Sequence, residues 1–258
     1  MIHASAVVDP SARVSADAEV GAFCVIGAGV EIGAGTTIAN HVVIEGPTTI
    51  GRDNRIFSFA SIGGAPQDKK YAGEPTRLEI GDRNTIREFV TINRGTTQDG
   101  GLTKIGDDNW IMAYVHIAHD CMIGNNTIFA NAASLAGHAT VDDFAILGGF
   151  SLVHQFCKIG AHAFTAMGAV INADVPPYVT VAGSFAVPKG INSEGLKRRG
   201  FSSPRIMAIK RAFKTIYKSG LTLAEARAQL AAAADGEAAT DLKLMLEFIE
   251  RSERSLLR

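Results

Sequence analysis

An aliphatic side chain recurs at every sixth position through most of the chain, and this period constrains the fold more than any other feature. A fixed six-residue repeat is typical of parallel β-helices, in which three hexads complete one triangular coil. Residues 18 apart then stack at roughly the 4.8 Å spacing of paired strands. The unbroken N-terminal series is Ile2, Val8, Val14, Val20, Ile26, Ile32, Ile38, Ile44, Ile50, Ile56 and Ile62.

A second place in each hexad holds small residues. One large and one small inward side chain per hexad would fill a narrow triangular interior without voids. All three cysteines (Cys24, Cys121 and Cys157) fall in this small place. We therefore predict buried, structural thiols rather than nucleophiles or a disulfide framework.

The repeat is interrupted near residues 63–78 and 94–104. In the first interruption, places that should be apolar hold Asp68 and Glu74. Burying unpaired carboxylates is costly, so this segment is predicted to leave the prism as a loop. Long loops on a rigid scaffold often have functional roles.

The repeat is expected to stop at Pro176-Pro177, after which the apolar spacing becomes helical. A capping-box pattern starting at Thr222 opens one of the helices. We predict a mainly β protein: a parallel β-helix over residues 1–190, followed by a C-terminal α-helical domain over residues 191–258.

Charge and hydropathy exclude several classes of protein. The net charge is −1, so the whole chain is not a typical nucleic-acid binder. We find no apolar run long enough for a membrane span and no secretory signal pattern at the start, and we expect a cytoplasmic protein. However, residues 189–258 contain 14 basic and 8 acidic side chains, which indicates an acidic or phosphate-bearing partner.

Histidines on the outside of the predicted prism form the candidate site. The 18-residue stacking places His138 above Asp120, Gly137 above His119, and Gln155 above Gly137. A histidine beside a carboxylate and a glycine backbone indicates a general base, an orienting acid and an oxyanion donor. Since binding sites are concave and a prism face is flat, we expect a neighbouring subunit in a three-fold arrangement to complete the site.

Several longer motifs resemble the UDP-N-acetylglucosamine O-acyltransferase family of lipid A biosynthesis, over essentially the whole chain. The motifs are QDKKYAGEPTR from Gln67, HIAHDC from His116, LAGH from Leu135, VHQFC from Val153 and EGLKRRGF from Glu194. This resemblance implies a homotrimer of left-handed β-helices. It also implies transfer of an (R)-3-hydroxyacyl group from acyl carrier protein to the 3-hydroxyl of UDP-N-acetylglucosamine, the first step of lipid A biosynthesis.

The resemblance also implies roles for individual residues. His119 would be the general base, Asp120 would orient it, and the Gly137 N–H would stabilise the oxyanion. No metal and no cofactor are implied, because the acyl donor is attached to the phosphopantetheine of acyl carrier protein. The residues implied to bind substrate are Asp68, Lys70, His116, His138, Gln155, Asn192, Glu194, Arg198 and Arg199.

Two positions depart from the family pattern. Asn93 stands where the family usually has His, and Met167 stands where many members have Gly at the floor of the acyl groove. Met167 would lie roughly 13 Å above His119 at strand spacing, and an extended acyl chain advances roughly 1.2 Å per bond. We therefore expect Met167 to stop the acyl chain near ten carbons rather than fourteen.

Three alternatives remain open at this stage. A zinc hydratase of the γ-carbonic anhydrase type shares the prism and could use His116, His119 and His138 as ligands. A non-catalytic β-helix scaffold would need none of these histidines for its function. A third alternative keeps the acyltransferase but gives its sugar acceptor a 3-amino group.

Overall fold

The structure, a computed structural model, describes residues 1–257. Within these residues the chain forms a long series of short β-strands followed by four α-helices. The strands are β1 (Val7–Val8), β2 (Arg13–Val14), β3 (Glu19–Val20), β4 (Val25–Ile26), β5 (Val30–Ile32), β6 (Thr37–Ile38), β7 (Val43–Ile44), β8 (Thr48–Ile50), β9 (Arg55–Ile56), β10 (Ser61–Gly64), β11 (Arg77–Ile80), β12 (Thr85–Ile86), β13 (Thr91–Asn93), β14 (Leu102–Ile105), β15 (Trp110–Ile111), β16 (His116–Ile117), β17 (Met122–Ile123), β18 (Ile128–Phe129), β19 (Ser134–Leu135), β20 (Thr140–Val141), β21 (Ile146–Leu147), β22 (Leu152–Val153), β23 (Lys158–Ile159), β24 (Phe164–Thr165), β25 (Val170–Ile171), β26 (Val179–Ala182) and β27 (Val187–Ile191).

These strands form the three faces of a triangular prism. Face 1 contains every third strand from β1 to β25, and face 2 every third strand from β2 to β23. Face 3 contains every third strand from β3 to β24, followed by β26 and β27. Neighbouring strands pair in parallel, apart from the antiparallel pair β26 and β27. The predicted parallel β-helix is confirmed.

The repeated aliphatic residues fill the interior of the prism. Ile26, Ile44 and Ile62 are each at most 1% exposed, and the three cysteines are also buried. Only the first coil is less well covered: Ile2 is 45% exposed. Within residues 1–257, Ile2 pairs only with Val20 of the coil above, so its inward side chain is packed on one side only.

A column of polar residues also runs inside the prism, in the place predicted to hold small residues. Asn54 Oδ1 accepts hydrogen bonds from the backbone N–H and the side-chain amide of Asn84. Asn84 Oδ1 in turn accepts from the Asn109 N–H, and Asn109 Oδ1 from Thr127. Since the side-chain amides of Asn54, Asn84 and Asn109 all have partners, the column costs little and fixes the register of successive coils.

The chain turns at three edges, which we name by the faces they join: edge 1–2, edge 2–3 and edge 3–1. A residue with left-handed backbone forms many of the turns, such as Asp120 (φ 58°) at edge 1–2, Phe144 (φ 63°) at edge 2–3 and Phe59 (φ 66°) at edge 3–1. Two longer connections, residues 65–76 and residues 94–101, both leave the prism at edge 1–2.

The prolines at 176 and 177 do not end the sheet, contrary to expectation. Strand β26 continues face 3 by pairing with β24, and β27 then folds back onto β26. Strand β27 extends to Ile191, one residue past the predicted boundary between the two domains. The division into two domains stays a prediction.

The helices are α1 (Ser193–Arg198), α2 (Ser203–Lys218), α3 (Leu223–Ala232) and α4 (Ala239–Arg251). Thr222 and Glu225 form the predicted capping box. The apolar sides of the four helices pack together around Tyr178 at the end of the prism. Within residues 1–257, no helix combines the length and apolar character needed to cross a membrane.

Candidate active site

His119 and Asp120 lie at edge 1–2, in the turn between β16 and β17. The left-handed backbone of Asp120 is held by its N–H, which donates to Thr103 Oγ1 at 2.8 Å. Such a conformation is unfavourable for a residue with a side chain and persists only where its surroundings fix it. The turn therefore presents both side chains in a defined geometry.

The two side chains form a buried pair. His119 Nδ1 lies 2.8 Å from Asp120 Oδ2, and the two residues are 8% and 2% exposed. The position of His119 and Asp120 in the hexad predicts that their side chains point out of the prism, and this is observed. Contacts described below nevertheless cover the pair. With Nδ1 turned to the carboxylate, Nε2 is the nitrogen able to accept a proton.

Thr96, on the loop 94–101, holds the carboxylate from the other side. Its N–H donates to Asp120 Oδ1 at 2.8 Å, and its Oγ1 donates to Oδ2 at 2.6 Å. Together with His119, these donors engage both carboxylate oxygens. Hydrogen bonds to a charged acceptor are short and strong, so the orientation of Asp120 is fixed.

Gly137 lies against His119, one coil above it, as the 18-residue spacing predicts. A Cβ atom on residue 137 would lie 2.5 Å from His119 Cε1 and 2.7 Å from Nε2. Within residues 1–257, the Gly137 N–H donates no hydrogen bond. A free backbone N–H beside an imidazole provides a donor where negative charge can develop.

His138 lies above Asp120 at the same edge. Its Nδ1 is 2.9 Å from Asp99 Oδ2, and its Nε2 is 3.8 Å from Asp120 Oδ2. Its ring stacks on Phe156 with centroids 4.4 Å apart and lies perpendicular to the His119 ring. Asp99 and the stacking thus fix the orientation of this second imidazole.

His116 and Gln155 lie at the borders of this cluster. His116 Nδ1 is 2.7 Å from Thr91 Oγ1. Burial lowers the pKa of His116 below its usual range, and the nearby His119 adds to this effect. Gln155 is exposed at edge 1–2, one coil above Gly137. The substrate contacts predicted for His116 and Gln155 stay predictions.

The cysteines are protonated structural residues. Burial raises the pKa of Cys121 to about 12 and that of Cys157 to about 11. The nucleophilic form of cysteine is the thiolate, so neither residue is a nucleophile at neutral pH. The predicted burial of all three thiols is confirmed, and their structural role stays a prediction.

Asp68 and Lys70 lie on the loop 65–76 at the same edge as His119. The Lys70 N–H donates to Asp68 Oδ1 at 2.9 Å, and the Lys70 side chain is exposed. Arg94 Nη2 donates to the Tyr71 hydroxyl at 3.3 Å and ties this loop to the prism. Within residues 1–257, neither Asp68 nor Lys70 forms a hydrogen bond or ion pair with His119.

The residues predicted to hold the nucleotide lie elsewhere, at edge 2–3. Asn192 caps α1 by accepting from the Gly195 N–H, and its Nδ2 donates to the His162 carbonyl. The Arg199 guanidinium lies 4.4 Å from the centre of the Phe144 ring. In the described part of one chain, no hydrogen bond, ion pair or ring contact joins this group to the cluster around His119.

The remaining two residues of that group face solvent. Glu194 and Arg198 are exposed on α1, and Glu194 pairs with Lys197 at 2.8 Å. The structure therefore divides the predicted site residues of a single chain into two groups on different edges of the prism.

Met167 lies at edge 3–1, between β24 and β25, and is 78% exposed. Edge 3–1 and edge 1–2 are the two borders of face 1. The outward side chains between them at this level include Leu152 and Val170. Between His119 and Met167, face 1 thus presents the polar His116 and Ser134 near His119 and the apolar Leu152 and Val170 near Met167.

Three residues of the cluster around His119 have the geometry to hold a metal ion. Among residues 1–257, the grouped ligand atoms belong to His119, Asp120 and His138 and lie within 4.8 Å of one another. Two histidines and a carboxylate can bind zinc. However, the Asp120 oxygens already accept from Thr96 and His119, which favours an orienting role for this carboxylate.

The sequence did not identify Thr96, Asp99 and Thr103 as site residues. Their only signal was their position in or beside the second interruption of the hexads. Loop residues obey no period, so the spacing that located Gly137 above His119 gives no information about which loop side chain turns back towards Asp120.

Comparisons with known proteins match family models to parts of the prism and to the C-terminal region. Residues 11–46 and 102–137 match the family model described as bacterial transferase hexapeptide (six repeats). Residues 174–257 match the model described as UDP N-acetylglucosamine O-acyltransferase, domain 2.

Curated relatives match over the whole chain. The acyl-[acyl-carrier-protein]–UDP-N-acetylglucosamine O-acyltransferase of Herminiimonas arsenicoxydans is 63% identical over 100% of this chain and 99% of its own length. The enzyme of the same name from Stenotrophomonas maltophilia (strain R551-3) is 60% identical over 100% and 97%.

Solved structures agree with this similarity. The UDP-N-acetylglucosamine acyltransferase of Francisella novicida superposes with a TM-score of 0.97 at 44% identity, covering 100% of this chain and 94% of that one. The UDP-N-acetylglucosamine O-acyltransferase of Moraxella catarrhalis gives 0.97 at 43% identity, with 100% and 99% covered.

A prism of hexapeptide repeats with a buried histidine–carboxylate pair on its outer side defines a left-handed β-helix transferase of the hexapeptide class. The identity over the full length is decisive for the narrower assignment. The chain belongs to the acyl-[acyl-carrier-protein]–UDP-N-acetylglucosamine O-acyltransferase family. The predicted left-handed β-helix and O-acyltransferase class are confirmed, and no relative described above is named as a zinc hydratase or a scaffold.

Proposed function

We propose that this chain transfers an (R)-3-hydroxyacyl group from acyl carrier protein to the 3-hydroxyl of UDP-N-acetylglucosamine, the first step of lipid A biosynthesis. The observation that supports it most strongly is the buried His119–Asp120 pair lying directly beneath Gly137. Family membership supplies the two substrates, because the relatives are named for both of them.

His119 is the general base of the proposed reaction. Its Nε2 takes the proton of the sugar hydroxyl while the hydroxyl oxygen attacks the thioester carbonyl carbon. The tetrahedral intermediate then expels the phosphopantetheine sulfur, which receives the proton from His119 and leaves as a thiol. Asp120 keeps Nδ1 protonated and stabilises the imidazolium between these steps.

Gly137 stabilises the charge that forms in this reaction. Its free N–H lies beside the imidazole that activates the nucleophile. A donor of this kind contributes about 3–4 kcal/mol to transition-state stabilisation. The reaction needs no metal and no cofactor of the protein, since the activated acyl group arrives on acyl carrier protein.

The active enzyme in this proposal is a homotrimer. The His119 group lies at edge 1–2 and the Asn192–Arg199 group at edge 2–3 of the same prism. If three parallel prisms pack around a three-fold axis, edge 1–2 of one subunit can meet edge 2–3 of the next. Such packing unites the two groups and gives the flat prism the second wall that a site needs.

Face 1 and edge 3–1 provide an apolar surface for this packing. Exposed apolar residues on face 1 include Val7, Val25 and Leu152. Extended exposed apolar surfaces indicate protein interfaces. Edge 3–1 adds a column of rings whose centroids are 4.9–5.2 Å apart, formed by Phe23, His41, Phe59, Phe89 and Tyr114.

The substrate contacts follow from this arrangement. Asp68 and Lys70 approach the sugar and diphosphate from the loop 65–76, and His116, His138 and Gln155 line the cleft beside His119. From the adjoining subunit, Arg198 and Arg199 neutralise phosphate charge, while Asn192 and Glu194 contact the nucleotide.

Met167 limits the length of the acyl chain in this proposal. An acyl group that begins at His119 and crosses the apolar part of face 1 meets the exposed Met167 side chain at edge 3–1. The chain length that fits is near ten carbons.

Acyl carrier protein docks on the basic helical region, and the reaction takes place in the cytoplasm. Acyl carrier protein is acidic, and complementary charge steers association. The three free cysteines fit a reducing compartment. The basic residues of this region are Lys197, Arg198, Arg199, Arg205, Lys210, Arg211, Lys214 and Lys218.

The direct test is incubation of the purified protein with UDP-N-acetylglucosamine and (R)-3-hydroxyacyl thioesters of acyl carrier protein. We expect acylated sugar nucleotide and free acyl carrier protein thiol, with no loss of activity after chelation of metals. A matched sugar nucleotide with a 3-amino group tests the acceptor. Absence of product, or turnover that requires zinc, would contradict the proposal.

A further inference from the structure

Residues 93–99 contact both parts of the site at edge 1–2. Their first two residues hold the base of the loop 65–76, and their later residues hold Asp120 and His138. We call residues 93–99 the strut. It is the chain segment that links the loop bearing Asp68 and Lys70 to the histidine–carboxylate pair.

Thr96 forms the contact of the strut with the catalytic pair. Thr96 is 3% exposed, and its hydroxyl donates to Asp120 Oδ2 at 2.6 Å. The same oxygen accepts from His119 Nδ1. Rotation of the carboxylate would therefore break the bond to Thr96 and turn the His119 ring at the same time.

Arg94 and Asn93 form the contact of the strut with the loop. Arg94 Nη1 donates to the Gly63 carbonyl and Nη2 to the Tyr71 hydroxyl. Asn93 Nδ2 donates to the Ala65 carbonyl at 2.8 Å. Both side chains are buried, so they fix where the loop leaves the prism.

We propose that the strut is a positioning element in which Thr96 orients the catalytic base through Asp120 and Arg94 places the sugar-binding loop. This inference rests on the proposed function. Neither Thr96 nor Arg94 needs to touch a substrate. Thr96 acts on His119 through Asp120, and Arg94 acts on Asp68 and Lys70 through the loop 65–76. The two contacts have different consequences: Thr96 affects the chemical step, and Arg94 affects binding of the sugar nucleotide.

The first half of the test replaces the Thr96 hydroxyl. Thr96→Val keeps the shape and removes one hydrogen bond to a charged group, so kcat should fall about tenfold. The KM for UDP-N-acetylglucosamine should stay within about twofold, because the loop is still held. Thr96→Ser restores the hydroxyl and should recover most of kcat, and Thr96→Ala gives a second deletion with less bulk.

A matched control is available one residue away. Thr97 lies within the strut but takes no part in its two contacts: it is exposed, and its side chain makes no hydrogen bond within residues 1–257. Thr97→Val should leave both kcat and KM at wild-type values. A general effect of loop hydrophobicity would instead affect both variants.

The second half of the test changes the loop contact. Tyr71→Phe and Arg94→Lys should raise the KM for UDP-N-acetylglucosamine about three- to tenfold, with kcat lowered less than by Thr96→Val. Tyr71→Phe removes only a hydroxyl and gives a result even where Arg94→Lys folds poorly. Because this hydroxyl also donates to the Glu74 carbonyl at 3.0 Å, the contact with the strut is tested by a rise in KM that both variants share. Arg83→Lys, at an exposed arginine paired with Asp108, is the control for the arginine change.

The results separate this inference from the proposed function. If wild type transfers acyl groups but Thr96→Val, Thr96→Ala and Tyr71→Phe all match it, the strut has no positioning role. Failure of Thr96→Ser to recover kcat, or a rise in KM in place of the fall in kcat for Thr96→Val, also overturns it. If wild type itself produces no acylated sugar nucleotide, the proposed function fails first and this inference with it.

Discussion

Gly137 and His119 lie so close that no side chain fits between them: a Cβ on residue 137 would be 2.5 Å from His119 Cε1. Real Cβ atoms do not approach other atoms so closely, and the neighbouring carboxylate holds the imidazole in place. The absence of a side chain at residue 137 is therefore a condition for the position of His119.

Gly137→Ala is expected to abolish most activity because the new methyl group displaces the His119 ring. We expect kcat to fall at least about a hundredfold, in the range of losing a general base. Gly190→Ala is the control, since a Cβ at residue 190 meets no atom within 4 Å. Wild-type kcat in Gly137→Ala would show that the ring position does not matter.

Met167→Gly is expected to lengthen the preferred acyl chain. The exposed methionine side chain stands at the far border of face 1, and its removal opens space beyond the tenth carbon. Competition between ten-, twelve- and fourteen-carbon 3-hydroxyacyl thioesters measures the preference. Wild type should favour ten carbons, and Met167→Gly should favour fourteen. A fourteen-carbon preference already present in wild type would contradict the prediction.

His162 is expected to make stability depend on pH. Burial, followed by the positive charge of Arg199, lowers the pKa of His162 from 6.5 to about 4. The folded protein therefore binds fewer protons than the unfolded chain between these values. The stabilising contribution of the neutral His162 to the free energy of unfolding is complete above pH 6.5 and decreases as the pH falls towards 4.

His162→Phe tests this dependence. The ring lies between Phe144 and Tyr178, so phenylalanine keeps the stacking and removes the titration. Denaturant unfolding at several pH values should show wild type losing about 2 kcal/mol more than the variant between pH 7 and pH 4, after allowance for partial solvent screening of the ring. Parallel pH curves would show that His162 is not the group responsible.

Charge reversal on α2 is expected to weaken the productive encounter with acyl carrier protein. Lys210 and Lys214 are exposed one turn apart, and the double change to Glu should raise the KM for the acyl carrier thioester about tenfold at low salt. The difference should shrink at high ionic strength because exposed charges are screened. Lys243→Glu on α4 is the control; an equal effect there would indicate net charge rather than a docking surface.

The fold was predictable from the sequence because the β-helix has a strict period. One aliphatic residue per hexad determines which side chains are buried, and the 18-residue coil then places Gly137 above His119 and His138 above Asp120. The end of the sheet was not predictable in this way. After Pro177 the strands β26 and β27 no longer follow the hexads, so the prediction that the prolines end the prism was wrong.

The surroundings of the site were less predictable. Thr96 and Asp99 belong to a loop without a period, and their contacts with Asp120 and His138 depend on how the loop folds back. Likewise, the sequence places the Asn192–Arg199 group in the same chain but gives no information about its edge. The structure locates it at edge 2–3, and this separation is the reason that the proposed site includes a second subunit.

The most direct measurement is the turnover of His119→Ala with UDP-N-acetylglucosamine and a ten-carbon 3-hydroxyacyl thioester of acyl carrier protein. The prediction is a loss of about a thousandfold in kcat, with an unchanged circular dichroism spectrum, while His154→Ala, an exposed histidine at the same edge, retains activity. Turnover by His119→Ala close to that of wild type would contradict the assignment of this imidazole as the base.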